Sequence, residues 1–405
     1  MRYGYWLPVF GGWLRNVENE NMEVSWAYVK KLAQRSERIG FDLTLIAELN
    51  LNDIKGVEAP SLDAWSTAAA LAAVTERIEL MVAVRPTFHL PALLAKQAAN
   101  IDRISNGRLT LNVVSSWWAD EARKYGVAFE QHDDRYARTR EWLDVLDGVW
   151  KQDHFSYSGK YYRVDDNILE PKPVAKPRPT LYAGGESPAA KDLIAEKCDA
   201  YLMHGDPPER VSEKIADLQE RRAQHKLPSL KFGVAGYAIV RETEREAQDE
   251  LRRITDVQQS AAGYANYQQW LAGTQLEQRV SLEDYSVSNR GLRSGLVGTS
   301  EQVAERLAKF EAAGVDLVLL QFSPQFEEME RFAAAIIRQT GYLMLGRLLP
   351  YSSRGQHPRP ADLAQQRLRQ PDPGEQRCPL SRRGPGRRAD CIYFELGRCR
   401  KSAAI

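Results

Sequence analysis

The chain has 405 residues, 43% hydrophobic and 27% charged, with a formal net charge of +1, values ordinary for a globular enzyme with a large core. No apolar run approaches the roughly 18 residues of a membrane span, and the N-terminal MRYGYWLPVFGG lacks the basic start and cleavage site of a signal peptide, so a cytoplasmic protein is expected. The charge is uneven: residues 341–405 carry 13 Lys/Arg against 5 Asp/Glu, which puts them at +8 and the rest at −7.

Over residues 1–340, short β-rich apolar runs alternate with longer helical patterns, which implies parallel strands joined by crossover helices. In chain order, strands are expected at 2–10, 42–49, 78–85, 109–116, 179–185, 200–205, 232–240 and 316–322. Eight strands close a (β/α)8 barrel, the TIM-barrel form of the α/β class. VSWAYVKKLAQRSERIG repeats its apolar residues at helical spacing and ends on Gly40, a suitable stop. Further helices are expected at 63–75, 91–104, 136–150, 188–197, 208–223, 243–254, 300–313 and 326–339. Two insertions interrupt the alternation. HFSYSGKYYRVDD (154–166) reads as a hairpin turning on Ser158-Gly159, and the long segment 255–297 reads as a lid or subunit contact.

Residues 341–405 hold seven prolines, three of the four cysteines (Cys378, Cys391, Cys399) and little hydrophobic periodicity. That is the composition of a disordered appendage with no catalytic role, and a reading frame shifted past Gly341 would look the same. A basic arm for nucleic acid is the weaker alternative. Cys391, Cys399 and His357 fit no zinc spacing. Cys198, between a helix and a strand, is expected to pack.

In such barrels the chemistry sits at the carboxyl ends of the strands. Those ends are Phe10–Trp13, Glu48–Asn52, Arg85–His89, Ser115–Trp118, Gly184–Ser187, His204–Asp206, Tyr237–Arg241 and Gln321–Gln325. In YAGGES, Gly184 and Gly185 let the backbone approach a ligand, and the following helix N-terminus with Ser187 suits a phosphate. Equally, the glycines make the turn and Ser187 caps the helix before Pro188. No GxGxxG or Walker sequence supports a nicotinamide or ATP site. The six histidines show no metal-binding spacing, so no metal is expected. His89 and His204 lie at strand ends, in acid–base roles or as loop hydrogen-bonding groups.

The segments YWLP, PALLAKQAANIDRISNGRLTLNVVSSWW, HDDRYARTREWLDVLDGVW, FSYSGKYYRV, PRPTLYAGGESPAAKDLIAE and LVGTSEQVAERL resemble the bacterial luciferase-like flavin monooxygenases. The likeness is to their alkanesulfonate, dimethylsulfone and pyrimidine branch, and it covers roughly residues 1–340. The tail has no counterpart there. The resemblance implies a two-component system in which a separate NAD(P)H-dependent flavin reductase supplies reduced FMN. This chain would add O2 to form a C4a-peroxyflavin that oxygenates a small organic molecule, a sulfonate or a sulfone.

Carried over by position, the resemblance implies FMN contacts at Asn112, Glu121, Arg135, Tyr136, Gly185 and Ser187, with Glu48 or Leu49 near the isoalloxazine. Each residue also has a plain structural reading: Arg135 as a surface ion pair, Tyr136 as a core aromatic, Asn112 as a strand residue, Glu121 as a helix-start charge. His89, His204, Tyr237 and Arg290 are the implied catalytic, substrate-facing groups, with Arg290 at the position of the alkanesulfonate enzyme's lid arginine. Where that enzyme has polar active-site groups, this chain has Phe10, Ser61, Ala235, Tyr237, Ser323 and Gln325, so a neutral sulfone fits as well as a sulfonate. Trp6, Phe10, Trp13, Trp117 and Trp118 would form apolar walls. Relatives suggest a homo-oligomer, a dimer or tetramer, with no nucleic acid and no membrane. A deazaflavin (F420)-dependent oxidoreductase and a non-catalytic flavin-binding protein are the alternatives.

Overall fold

Eight parallel strands close on themselves in the order β1-β8-β7-β6-β5-β4-β3-β2. They are β1 Arg2–Trp6, β2 Leu43–Ile46, β3 Glu79–Val84, β4 Leu109–Val113, β5 Thr180–Ala183, β6 Ala200–Met203, β7 Lys231–Tyr237 and β8 Leu317–Gln321. β8 completes the ring, pairing Leu317 with Arg2 on one side and with Gly233 on the other. Runs such as LTLI and LVLLQ are buried throughout, as strands with a filled barrel on one face and helices on the other must be. This computed structural model describes residues 1–257, 261–278 and 280–338. The expectations placed on residues 341–405, including Cys378, Cys391, Cys399 and His357, lie outside the described residues.

All eight expected strands are present, but several stop short of their expected carboxyl ends. β1 ends at Trp6 and β4 at Val113, each followed by one more amide bond to the neighbouring strand, Leu7 to Leu45 and Val114 to Val84, before the chain turns over the mouth. The helices follow from their caps. Ser25 accepts from the Tyr28 amide at 3.2 Å to start Trp26–Ile39, and Gly40, left-handed at φ 106, ends it. The expected helix at 136–150 begins earlier, running His132–Lys151 with Asp133 and Asp134 in its first turn, where the helix dipole favours them. Helix Gln325–Phe332 continues through a wider π-type turn, Ala333–Ile337.

The hairpin pairs Phe155–Ser158 with Arg163–Asn167, its turn closed by the Gly159 amide on the Tyr162 carbonyl at 2.9 Å. The segment 255–297 carries short helices Ala261–Tyr264, Tyr267–Gly273 and Leu282–Ser286 and a 3-10 stretch Ser288–Ser294. It is tied to the loop after β1 by a Leu14–Val287 bridge and by the Arg15 amide on the Ser286 carbonyl at 2.9 Å. It therefore lies over the carboxyl end of the barrel. Among the described residues, no helix is long and apolar enough to cross a membrane.

Candidate active site

Under that segment, two joined chambers occupy the mouth, with cavity volumes of about 160 Å³ and about 220 Å³. Trp6, Asn112, Val114, Trp117, His204, Trp270 and Asn289 line both. The first chamber extends to Phe10, Trp13, Ile54 and Tyr285, with Arg15, Glu48, Arg85 and Arg290 also in its wall. The second runs to Ser115, Tyr136, Gly184 and Gly185. Aromatic walls therefore meet one charged end and one end made of small residues and hydroxyls.

The small-residue end is built by the loop after β5. Gly185 has φ 150, and a Cβ there would stand 2.5 Å from the Ala190 Cβ and 3.1 Å from the Tyr136 hydroxyl. Only glycine lets the loop lie this close to the helix it enters. Ser187 caps helix Pro188–Lys197 by accepting from the Ala190 amide at 3.2 Å, and it lies beside the Tyr136 phenol. Burial raises the Tyr136 phenol above its ordinary range, against the pull of Ser187 and Arg135. Tyr136 thus presents a proton to the chamber at neutral pH.

In the charged end, each arginine has a carboxylate. Arg85 forms a two-pronged pair with the wholly buried Glu121, with its second nitrogen at 3.1 Å. The Arg85 amide also donates to Glu48 at 2.8 Å. Glu48 in turn meets His89 Nε2 at 2.5 Å and accepts from the Trp65 indole at 3.1 Å. Arg15 pairs with Asp53 at 2.5 Å and lies 3.9 Å over the Tyr285 ring. Arg290 pairs with Glu186, which also meets Lys214 at 2.8 Å and His204 at 3.7 Å. Lys214 bridges on to Asp206 at 2.6 Å.

Burial opposes ionisation of Glu186, yet His204 and Arg290 hold its carboxyl far below the usual range. Burial and then the Arg290 charge lower the His204 imidazole, with Glu186 only partly offsetting them. It is therefore neutral at pH 7.

Residues 1–317 match the family described as luciferase-like monooxygenase. The chain belongs to that family. It is 34% identical over 353 residues to an FMNH(2)-dependent dimethylsulfone monooxygenase of Pseudomonas putida, covering 83% of this chain and 94% of the relative. In fold it is similar to the long-chain alkane monooxygenase LadA, with TM-score 0.73, 19% identity, and 88% and 93% of the two chains covered. DmoA from Hyphomicrobium sulfonivorans is comparable, with TM-score 0.70, 19% identity and coverage of 87% and 90%. At those identities the structures speak to the barrel alone.

Of the residues singled out by the family resemblance, Glu48, Leu49, Asn112, Tyr136, Gly185, His204 and Arg290 line the chambers. Five are placed otherwise. Ser187 stands behind Tyr136 as the helix cap, so its structural reading holds alongside the contact with Tyr136. Glu121 is one layer back, bracing Arg85. Arg135 lines neither chamber: it donates to the Glu130 carbonyl at 2.8 Å and lies 4.5 Å over the Phe129 ring. Consecutive helical residues point about 100° apart, so Arg135 and Tyr136 cannot both face the cavity, and Tyr136 does.

Tyr237 lines neither chamber. It is fully buried in a side cluster with Leu14, Ile239 and Val287, because the Ser288–Ser294 stretch lies across it: a Cβ on Gly291 would stand 2.9 Å from the Tyr237 nitrogen. His89 reaches the site through Glu48. Gln325 is buried and orients a wall by accepting from the Trp13 indole at 2.9 Å.

Trp118 stacks behind Trp117 at 5.3 Å. Arg85, Glu186 and Lys214 were not selected from the sequence. Lys214 did leave a signal: it shares the buried stripe of helix Pro208–Gln224 with Val211, Ile215 and Leu218, where a lysine needs a carboxylate.

Proposed function

We propose that this protein oxygenates a small neutral organosulfur compound, a sulfone such as dimethylsulfone. It would use O2 and reduced FMN delivered by a separate NAD(P)H-dependent flavin reductase. The observation that carries this reading is the 34% identity, over 83% of the chain, to an enzyme of that activity. The residues present fit the cofactor. Trp6 Nε1 and Asn112 Oδ1 are buried with no hydrogen-bond partner among the described residues, and both residues line both chambers. A buried donor and acceptor of this kind suit a flat heterocycle with polar edges.

Tyr136, Ser115 and the Gly184–Gly185 backbone would hold the phosphate end, with Asn112, Trp6 and Leu49 along the ring. Bound reduced FMN supplies the electrons and activates O2. The chain's own part is to exclude water and fix geometry. Trp6, Trp13, Trp117 and Trp270 keep the reacting centre dry under the 255–297 segment. Glu48 holds a proton at His89 Nε2, and His204 presents a neutral imidazole to both chambers.

The test is anaerobic titration with reduced FMN, followed by mixing with O2 and dimethylsulfone. The expected outcome is flavin binding and dimethylsulfone consumption matched to O2 uptake. Binding without substrate loss would leave a non-catalytic flavin protein. Turnover of a reduced deazaflavin without O2 uptake would leave the deazaflavin reading. A cytoplasmic homo-oligomer of two or four chains belongs to the same reading, and light scattering on the purified protein checks the chain number.

A further inference from the structure

Arg290 enters the first chamber from the 255–297 segment with its charge already matched by Glu186. We propose that Glu186 is the specificity-determining residue of this site: by cancelling Arg290 it reserves the chamber for uncharged substrates and shuts out organic anions of the same size. This rests on the proposed sulfone oxygenation, and it identifies the residue that separates a sulfone from its isosteric sulfonate.

Three features carry the inference. First, Arg290 is held in place. Its backbone and that of Asn289 are left-handed at φ 54 and φ 58, a conformation that persists in non-glycine residues only where the surroundings enforce it. The Gly205 amide donates to the Asn289 carbonyl at 3.2 Å, and a Cβ on Gly205 would stand 2.3 Å from the Arg290 carbonyl. The guanidinium therefore stays at the wall, and only its countercharge decides what it offers a ligand.

Second, Glu186 is the carboxylate that can be removed without unbalancing the rest. Lys214 keeps Asp206 at 2.6 Å and Glu277 at 3.7 Å, and Arg293 keeps Asp206 at 3.3 Å, while Arg290 has no other acid partner among the described residues. His204, at 3.7 Å from Glu186, is neutral and adds no positive charge. Third, the pattern is general across the chamber. Arg15 is matched by Asp53 and Arg85 by Glu121, so three guanidinium groups in one apolar cavity leave no net attraction for an anion. An uncompensated anion entering such a cavity loses its hydration without repayment.

Dimethylsulfone and methanesulfonate differ by one methyl exchanged for one charged oxygen, so shape does not separate them. The experiment measures methanesulfonate affinity by calorimetry on the full chain, with and without reduced FMN under anaerobic conditions. Expected results are very weak binding by wild type, a gain of about tenfold or more in Glu186→Gln, and wild-type behaviour in Glu186→Asp. The gain should vanish in the Glu186→Gln/Arg290→Gln double variant. A folded Glu186→Gln variant without the gain, or a gain that survives in the double variant, overturns the proposal.

Should Glu186→Gln fail to fold, Arg290→Gln decides: its methanesulfonate affinity stays at the wild-type level if the charge was already cancelled, and a fall overturns the proposal. Anion binding needs no turnover. Failure of wild type to consume dimethylsulfone would sink the proposed function while leaving this result standing.

Discussion

At the N-terminal end of the barrel, a cleft of about 550 Å³ is lined by Arg2, Glu37, Asp42, Arg77, Glu79 and Arg108. At the C-terminal end, the chambers are smaller, and the first is also lined by arginines and carboxylates. The difference lies in bonding capacity. Arg108 donates to the carbonyls of Ala72, Thr75, Ile78 and Ser105 and to the Thr75 hydroxyl. Glu79 takes both Arg2 and Thr110, and Glu37 accepts from three consecutive amides. At the other end, Trp6 Nε1, Asn112 Oδ1, Arg15 Nε and Arg290 Nε are buried without hydrogen-bond partners among the described residues. A buried polar atom left unmet costs about 1–3 kcal/mol, and evolution tolerates that where a ligand supplies the partner. Size would have selected the wrong end.

The largest test of this contrast is stability. Arg85→Met would leave the wholly buried Glu121 without its countercharge, and removing one partner of a buried pair costs about 3–5 kcal/mol. Arg77→Ala in the lower cleft removes an exposed group and should cost below about 1 kcal/mol. Urea unfolding of the two variants measures the gap, and equal losses would mean that the two ends are electrostatically alike.

Next in size is ligand binding. Gly185→Val forces a side chain to within 2.5 Å of the Ala190 Cβ and into the Tyr136 hydroxyl, so reduced-FMN affinity should fall by about 100-fold, roughly 2.7 kcal/mol. Thr110→Val, at the other end, should leave it unchanged. Tyrosine 136 tests the same end more gently: Tyr136→Phe removes one donor to a charged group, worth about 1.5–3 kcal/mol, and should weaken reduced FMN about tenfold with no change in fold by circular dichroism. Retained affinity in both variants would move the phosphate away from this loop.

The strands were legible because a filled barrel needs apolar runs on both faces, and no local pattern competes with that. Their carboxyl ends were not, since Phe10 and Val114 are as apolar as the ladder yet serve the chamber wall. Within HDDRYAR, the helical phase was enough to separate Tyr136 from Arg135 once the helix was started at His132 instead of Tyr136. Glu186 was in view beside Ser187, but its meaning depends on Arg290, 104 residues later, and no periodicity links such a pair. The burial of Tyr237 was hidden for the converse reason: its strand end is right, and the segment that covers it comes from elsewhere in the chain.

The smallest expected effect concerns His204, whose imidazole is lowered first by burial and then by Arg290. A folded pKa below the unfolded value means that the unfolded state holds more protons between the two. Stability from this group is therefore fully present above about pH 6.5 and is lost as pH falls towards the folded pKa. His204→Gln should flatten the decline in urea stability between pH 7 and pH 5 relative to wild type. Glu186→Gln should leave the onset of the decline in place and extend it to lower pH, because Glu186 is the group that holds the folded His204 pKa up. About 31% of the His204 side chain remains exposed, so solvent screening keeps the slope shallow. An unchanged pH profile in His204→Gln would mean that Arg290 does not reach the imidazole electrostatically. The upper chamber would then be no more tightly coupled than the lower cleft.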